Sequence, residues 1–121
     1  MSWPAALADI ECCDVTTTGR VTGDAHEIEI WFGIDGDALY LISGNGPGAD
    51  WYRNLIAHPD VTVRFGEQRF AATAQPVTDR DERRRVGELM GAKYVWGGDP
   101  GIGITYEAWC FDVPAVRVEQ A

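Results

Sequence analysis

The residues of this chain best suited to chemistry are gathered in Thr16-Thr17-Thr18-Gly19-Arg20-Val21-Thr22-Gly23-Asp24-Ala25-His26. Two glycines bracket a guanidinium and hydroxyls, and a turn of that composition can aim backbone N–H groups and an arginine fork at one anionic group. An ordinary strand-to-strand connection needs glycine too and can have the same composition. Arg20 is therefore either a phosphate ligand or a solvated turn residue, and His26 either a ligand contact or a hydrogen-bonded rim histidine.

A second group of candidates is aromatic. Trp51, Tyr52, Trp96, Tyr106 and Trp109 can wall a planar ligand or simply pack a core. Tyr94 and Trp96 precede a loop, residues 97–103, that carries four glycines. Such a loop closes without steric penalty, so it is either a substrate lid or a flexible connection. The two histidines, His26 and His58, are isolated, and Cys12, Cys13 and Cys110 lack zinc spacing, so no metal site is expected. The cysteines read as packed thiols of a reducing cytoplasm.

The elements that must position these groups follow from periodicity. Residues 10–18 can form a first strand, and residues 25–33 alternate with His26, Ile28, Ile30 and Phe32 on one face and Glu27, Glu29 and Trp31 on the other. Asp35-Gly36 supplies a hairpin turn into residues 38–43, and Gly44-Asn45-Gly46-Pro47-Gly48 is a loop. Asp50 is placed to cap a short helix, 51–58, that Pro59 ends. Residues 60–65 and 69–77 read as a hairpin about Gly66-Glu67. A longer helix begins near Thr78 and runs to about Tyr94, with Asp79 and Glu82, or Thr78 and Asp81, as a capping box and Val86, Leu89, Met90 and Tyr94 as its apolar stripe. Residues 104–118 supply a final strand, bent near Pro114.

At 121 residues with 45% hydrophobic content, the chain fits a single domain, 1–121, with a short N-terminal segment 1–9. The formal net charge of −9 argues against nucleic acid and against an anionic membrane surface as partners. Arg83-Arg84-Arg85 does not reverse this, because Asp79/Arg83, Asp81/Arg85 and Arg84/Glu88 fall four apart on a helix and read as a solvated, ion-paired face. The first nine residues lack a basic segment and break their apolar run, so no signal peptide is expected, and no window is long enough for a membrane span. About six strands and a few helices in so short a chain favour a mainly β fold, a six-stranded antiparallel barrel with helical decoration, since closure removes sheet edges.

The succession Thr17-Thr18-Gly19-Arg20-x-x-Gly23, an alternating strand, Asp35-Gly36-Asp37, Ser43-Gly44, Trp51-Tyr52-Arg53-Asn54-Leu55, His58-Pro59, Val61-Thr62-Val63 and Ala71-Ala72-Thr73-Ala74 resembles the nitroreductase-type deazaflavin-dependent oxidoreductases. The likeness covers residues 15–94. It implies the split β-barrel of FMN-binding, pyridoxine-phosphate-oxidase-like proteins and a hydride transfer from reduced coenzyme F420 to a quinone, a nitroaromatic or an activated double bond. Gly19, Arg20, Thr22 and Gly23 would hold the phospholactyl end of the cofactor, with His26 as a second cation. The strand through Ile28 would flank the deazaflavin ring, Ser43 and Gly44 would lie on a loop approaching it, and Trp51 and Asn54 would head the helix that follows.

In that frame Ser43 and Tyr94 are the candidates for hydrogen-bonding the reacting substrate or the ring. Many relatives carry lysine directly after the arginine, arginine at the position of His26 and lysine at that of Gly44. This chain has Val21, His26 and Gly44, so fewer fixed positive charges face a polyanionic cofactor, and FMN is the alternative. The other reading is a binding protein for a flavin, fatty acid or haem that has lost efficient redox chemistry. Split-barrel relatives often pair through a sheet face, so a homodimer is among the expected assemblies, with Glu27, Glu29 and Trp31 as its candidate surface.

Overall fold

At Phe32 the chain changes from one edge of its sheet to the other. In the computed structural model, which describes residues 2–121, strand β2 (Ala25–Trp31) pairs antiparallel with β1 (Cys12–Thr18), with Thr17 opposite His26 and Cys13 opposite Ile30. One residue later β3 (Gly33–Asp35) pairs with β4 (Ala38–Ile42) through the expected turn, where Gly36 takes a φ of +61°. The remaining strands are β5 (Asp60–Phe65), β6 (Gln68–Pro76) and β7 (Ala115–Gln120), and the sheet order is β2-β1-β5-β6-β7-β4-β3. Strands consecutive in sequence thus occupy opposite edges, which requires the sheet to curl until those edges meet. The single strand read from residues 25–33 is divided at this junction, so there are seven strands rather than six.

Alternation places the core. Cys13, Val15 and Thr17 of β1, Val61, Val63 and Phe65 of β5, and Leu39 and Leu41 of β4 point into the barrel with Phe32 and Leu55. Each fully buried leucine contributes about 1.5–3 kcal/mol by leaving water. β2 keeps the predicted register, but as an edge strand it leaves Ile28 and Ile30 only half-buried, while Glu27 and Glu29 are exposed as expected.

The other face of β4, Ala38, Tyr40 and Ile42, is covered by helix α2 (Arg80–Lys93) and helix α3 (Tyr106–Phe111), so all five of its residues are buried. The predicted cap of α2 is present: the Asp79 carboxylate accepts from the Glu82 N–H at 2.8 Å. Val86 and Met90 pack inward as its stripe, and Tyr94 follows them.

Three expectations need correction. Residues 104–118 are not one strand: Thr105 caps α3 by accepting from the Ala108 N–H at 3.1 Å, and β7 begins only after Pro114, where a missing N–H is tolerated. Asp50 is not a cap but sits in the first turn of α1 (Asp50–Ala57), behind Ala49. The ion pairs of the described residues include none of the three expected along α2. Arg83 instead donates to the carbonyls of Trp109, Cys110 and Val113, where the dipole of α3 and its unpaired carbonyls attract a cation.

Candidate functional site

The turn between β1 and β2 uses its two glycines differently, one beneath the His26 side chain and the other in a left-handed conformation. The Gly19 N–H donates to Asp24 O at 2.7 Å, and a Cβ on Gly19 would lie 2.8 Å from His26 Nε2, so the imidazole rests directly on the turn. Gly23 donates to Gly19 O at 2.9 Å with a φ of +79°, the left-handed region that favours glycine.

This turn is tied to α1 across more than thirty residues of sequence. Arg20 Nη1 donates to Asn54 Oδ1 at 2.8 Å, the Arg20 backbone N–H donates to the same oxygen at 3.2 Å, and Nη2 reaches Asp50 Oδ1 at 3.1 Å. Asn54 is buried, and its Nδ2 donates to Thr17 Oγ1 at 3.3 Å. A buried amide with all these partners fixes the guanidinium in place before any ligand arrives.

Between the turn, the first half of β2 and α1 lies an open cleft of about 610 Å³. Of the residues the sequence singled out, Gly19, Arg20, Thr22, His26, Ile28, Trp51 and Asn54 line it. Thr17, Glu27 and Asp50 line it as well and were not foreseen. Asp50 was hidden by its helix-cap signature, which accounts locally for a carboxylate whose partner lies thirty residues away. Glu27 is held below the usual carboxylate range, first by its hydrogen bonds from Arg64, at 3.0 and 3.3 Å.

The other candidates lie elsewhere. Ser43 Oγ donates to Gly46 O at 2.6 Å and is buried, and Gly44 faces the indole of Trp109. Tyr94 Oη accepts from the Phe32 N–H at 3.1 Å, and Glu11 O at 2.5 Å and Phe32 O at 3.0 Å compete for its proton. Burial pushes this phenol up to about 12. Both hydroxyls are thus engaged within the fold, and neither residue lines the cleft. Tyr94 stacks on Trp31 at 4.3 Å, and Trp96 and Trp109 stand perpendicular to Trp31. The expected lid is a tight hairpin, closed by Asp99 and Ile104 bonding each other's backbone, and no residue of it lines the cleft.

Comparison with known proteins supplies the relationship. The model of the F420H2-dependent quinone reductase family matches residues 6–98. The chain belongs to that family. An F420H2-dependent quinone reductase of Mycobacterium tuberculosis H37Rv is 39% identical over 70 residues, which is 54% of this chain and 46% of the relative. This family member thus spans about half the length of the curated relatives it matches. A solved F420-H2-dependent reductase superposes with a TM-score of 0.69 at 22% identity, covering 91% of this chain and 95% of that one. HutZ, the haem storage protein of Vibrio cholerae, does so with a TM-score of 0.68 at 16% identity, covering 92% and 82%. At these identities the structures establish the shared split-barrel fold. No helix of the described residues is long and apolar enough to cross a membrane.

Proposed function

We propose that the Arg20 cleft binds coenzyme F420 and that the chain is a reductase of small organic acceptors, quinones first among them. The observation that carries this reading is the preset guanidinium of Arg20, anchored by Asn54 at the wall of a cleft whose volume suits a small molecule. The residues present fit such a cofactor. Arg20 and the N–H groups of Val21 and Thr22, which bond no backbone carbonyl among the described residues, offer donors for the phosphate. Ile28 and Trp51 offer an apolar wall for a planar ring, and His26 adds a ring N–H beside Gly19.

The bound reduced cofactor supplies the hydride. The chain's part is to hold and orient. The Arg20–Asn54 pair fixes the anionic end, which costs little reorganisation because the pair is already formed. Ile28 and Trp51 keep water from one side of the cleft. The three free thiols suit a cytoplasmic setting, and a homodimer through the β2 face is the assembly we carry forward.

Anaerobic stopped-flow mixing of the protein and reduced F420 with menadione tests the reading. Saturable F420 binding and oxidation faster than the protein-free reaction support it, and absence of binding removes it. A second reading, a carrier without turnover, draws on one observation: the hydroxyls of Ser43 and Tyr94 are bound within the fold. Binding without acceleration is its signature.

A further inference from the structure

Among the described residues that line the cleft, one guanidinium, Arg20, faces two carboxylates, Glu27 and Asp50. The two acids are not equivalent. Glu27 has a cation outside the cleft, Arg64 at 3.0 Å, which it shares with Asp14 at 2.8 Å. Asp50 has Arg20 alone, among the described residues, within ion-pair distance, at 3.1 Å, and its side chain is 85% exposed. An anion that approaches Arg20 therefore arrives beside a carboxylate.

Arg20 attracts a phosphate and Asp50 repels it, and both effects scale with the charge the phosphate carries. With the two opposed charges side by side, a dianion gains almost nothing over a monoanion. A lone guanidinium would favour the dianion. We propose that Asp50 is a specificity-determining residue, which admits a singly charged phosphate diester and disfavours a doubly charged phosphate monoester. The inference rests on the cofactor reading above and deepens it. F420 carries its phosphate as a diester, whereas FMN carries a monoester.

Three ligands that share the flavin ring and carry no phosphate, a singly charged cyclic diester or a doubly charged monoester test it: riboflavin, riboflavin 4′,5′-cyclic phosphate and FMN. Their dissociation constants are measured by flavin fluorescence at about pH 8, where a phosphate monoester is a dianion, on wild type and Asp50→Asn. The amide keeps the shape of Asp50 and still accepts from Arg20. If loss of one negative charge tightens the cyclic phosphate about three-fold, it tightens FMN by the square of that factor, about ten-fold, and leaves riboflavin unchanged. Equal gains for the two phosphates would mean that Asp50 merely occupies Arg20, and would overturn the proposal. So would an Asp50→Asn protein that binds FMN no more tightly than wild type. F420 is titrated in parallel. Its failure to bind wild type counts against the proposed function alone, because the comparison among flavins does not use it.

Discussion

Asn54 Oδ1 accepts from Arg20 twice, from the guanidinium at 2.8 Å and from the backbone N–H at 3.2 Å. The second bond separates binding from stability. Arg20→Ala removes the fork but leaves the buried amide oxygen with its backbone donor. We expect F420 affinity to weaken about ten-fold or more, the loss of a charge-assisted contact, with little change in urea midpoint. Isothermal titration and urea unfolding on the same preparation check both halves.

Asn54→Ala acts differently. It removes the partner of both Arg20 donors and leaves the buried Thr17 hydroxyl without the Nδ2 contact. A loss of about 1–3 kcal/mol in unfolding free energy is expected, together with weaker F420 binding. A midpoint equal to that of wild type would show that the turn and α1 are not joined through this amide.

Tyr94→Phe deletes the hydroxyl at the junction of β2 and β3. The Phe32 N–H loses its partner, and the expected cost is about 1–3 kcal/mol in denaturant unfolding. Turnover per folded molecule should stay within about two-fold of wild type, because Tyr94 Oη bonds Phe32 and Glu11 rather than facing the cleft. A large fall in the rate of reduced F420 oxidation without a fall in stability would restore Tyr94 to the chemistry.

Gly87→Ala reverses the usual helix preference. Alanine normally stabilises an exposed helix interior by about 1 kcal/mol relative to glycine. Here the new Cβ would lie 2.6 Å from Cys110 O and against the ring of Phe111, so α2 and α3 must separate. Destabilisation of about 2 kcal/mol or more is expected, read from thermal or urea unfolding.

Acid should loosen the clasp of β4, α2 and β7 through Glu82. Burial raises this carboxyl, but bonds from Arg117, at 2.6 and 2.9 Å, and from Tyr40, at 2.8 Å, outweigh it and hold Glu82 below the usual carboxylate range. With the folded value below the unfolded one, the stabilisation is complete above pH 4.5 and is lost as pH falls through the folded value. Glu82→Gln should therefore flatten the acid limb of a stability–pH profile, measured by urea unfolding from about pH 7 to about pH 3.

What the sequence displayed was mostly local. The alternation through Ile28, Ile30 and Phe32, the glycine turns at Gly36 and Gly66, and the Asp79 cap each depend on neighbours within a few residues, and each is present. The glycine-arginine turn was legible for the same reason. Its partners were not, because Arg20 meets Asp50 and Asn54 from thirty and thirty-four residues away. Tyr94 looked free for a substrate because a phenol beside a glycine-rich loop has the same sequence whether it faces a cleft or a strand junction. The helix at 106–111 was missed because six residues that include Ala108, Trp109 and Phe111 suit either state, and the Thr105 cap decides it only once α2 offers a surface to pack on.

The position of β7 has a consequence for vectorial synthesis. This last strand lies between β6 and β4, bonding Ala74 to Val118 on one side and Leu41 to Val116 on the other. Until residues 115–120 leave the ribosome, a nascent chain carries two open strand edges over an apolar floor that includes Leu39 and Leu41. Such edges recruit other chains. A chain in which these residues have not yet paired is therefore an aggregation-prone half-shell rather than a closed barrel.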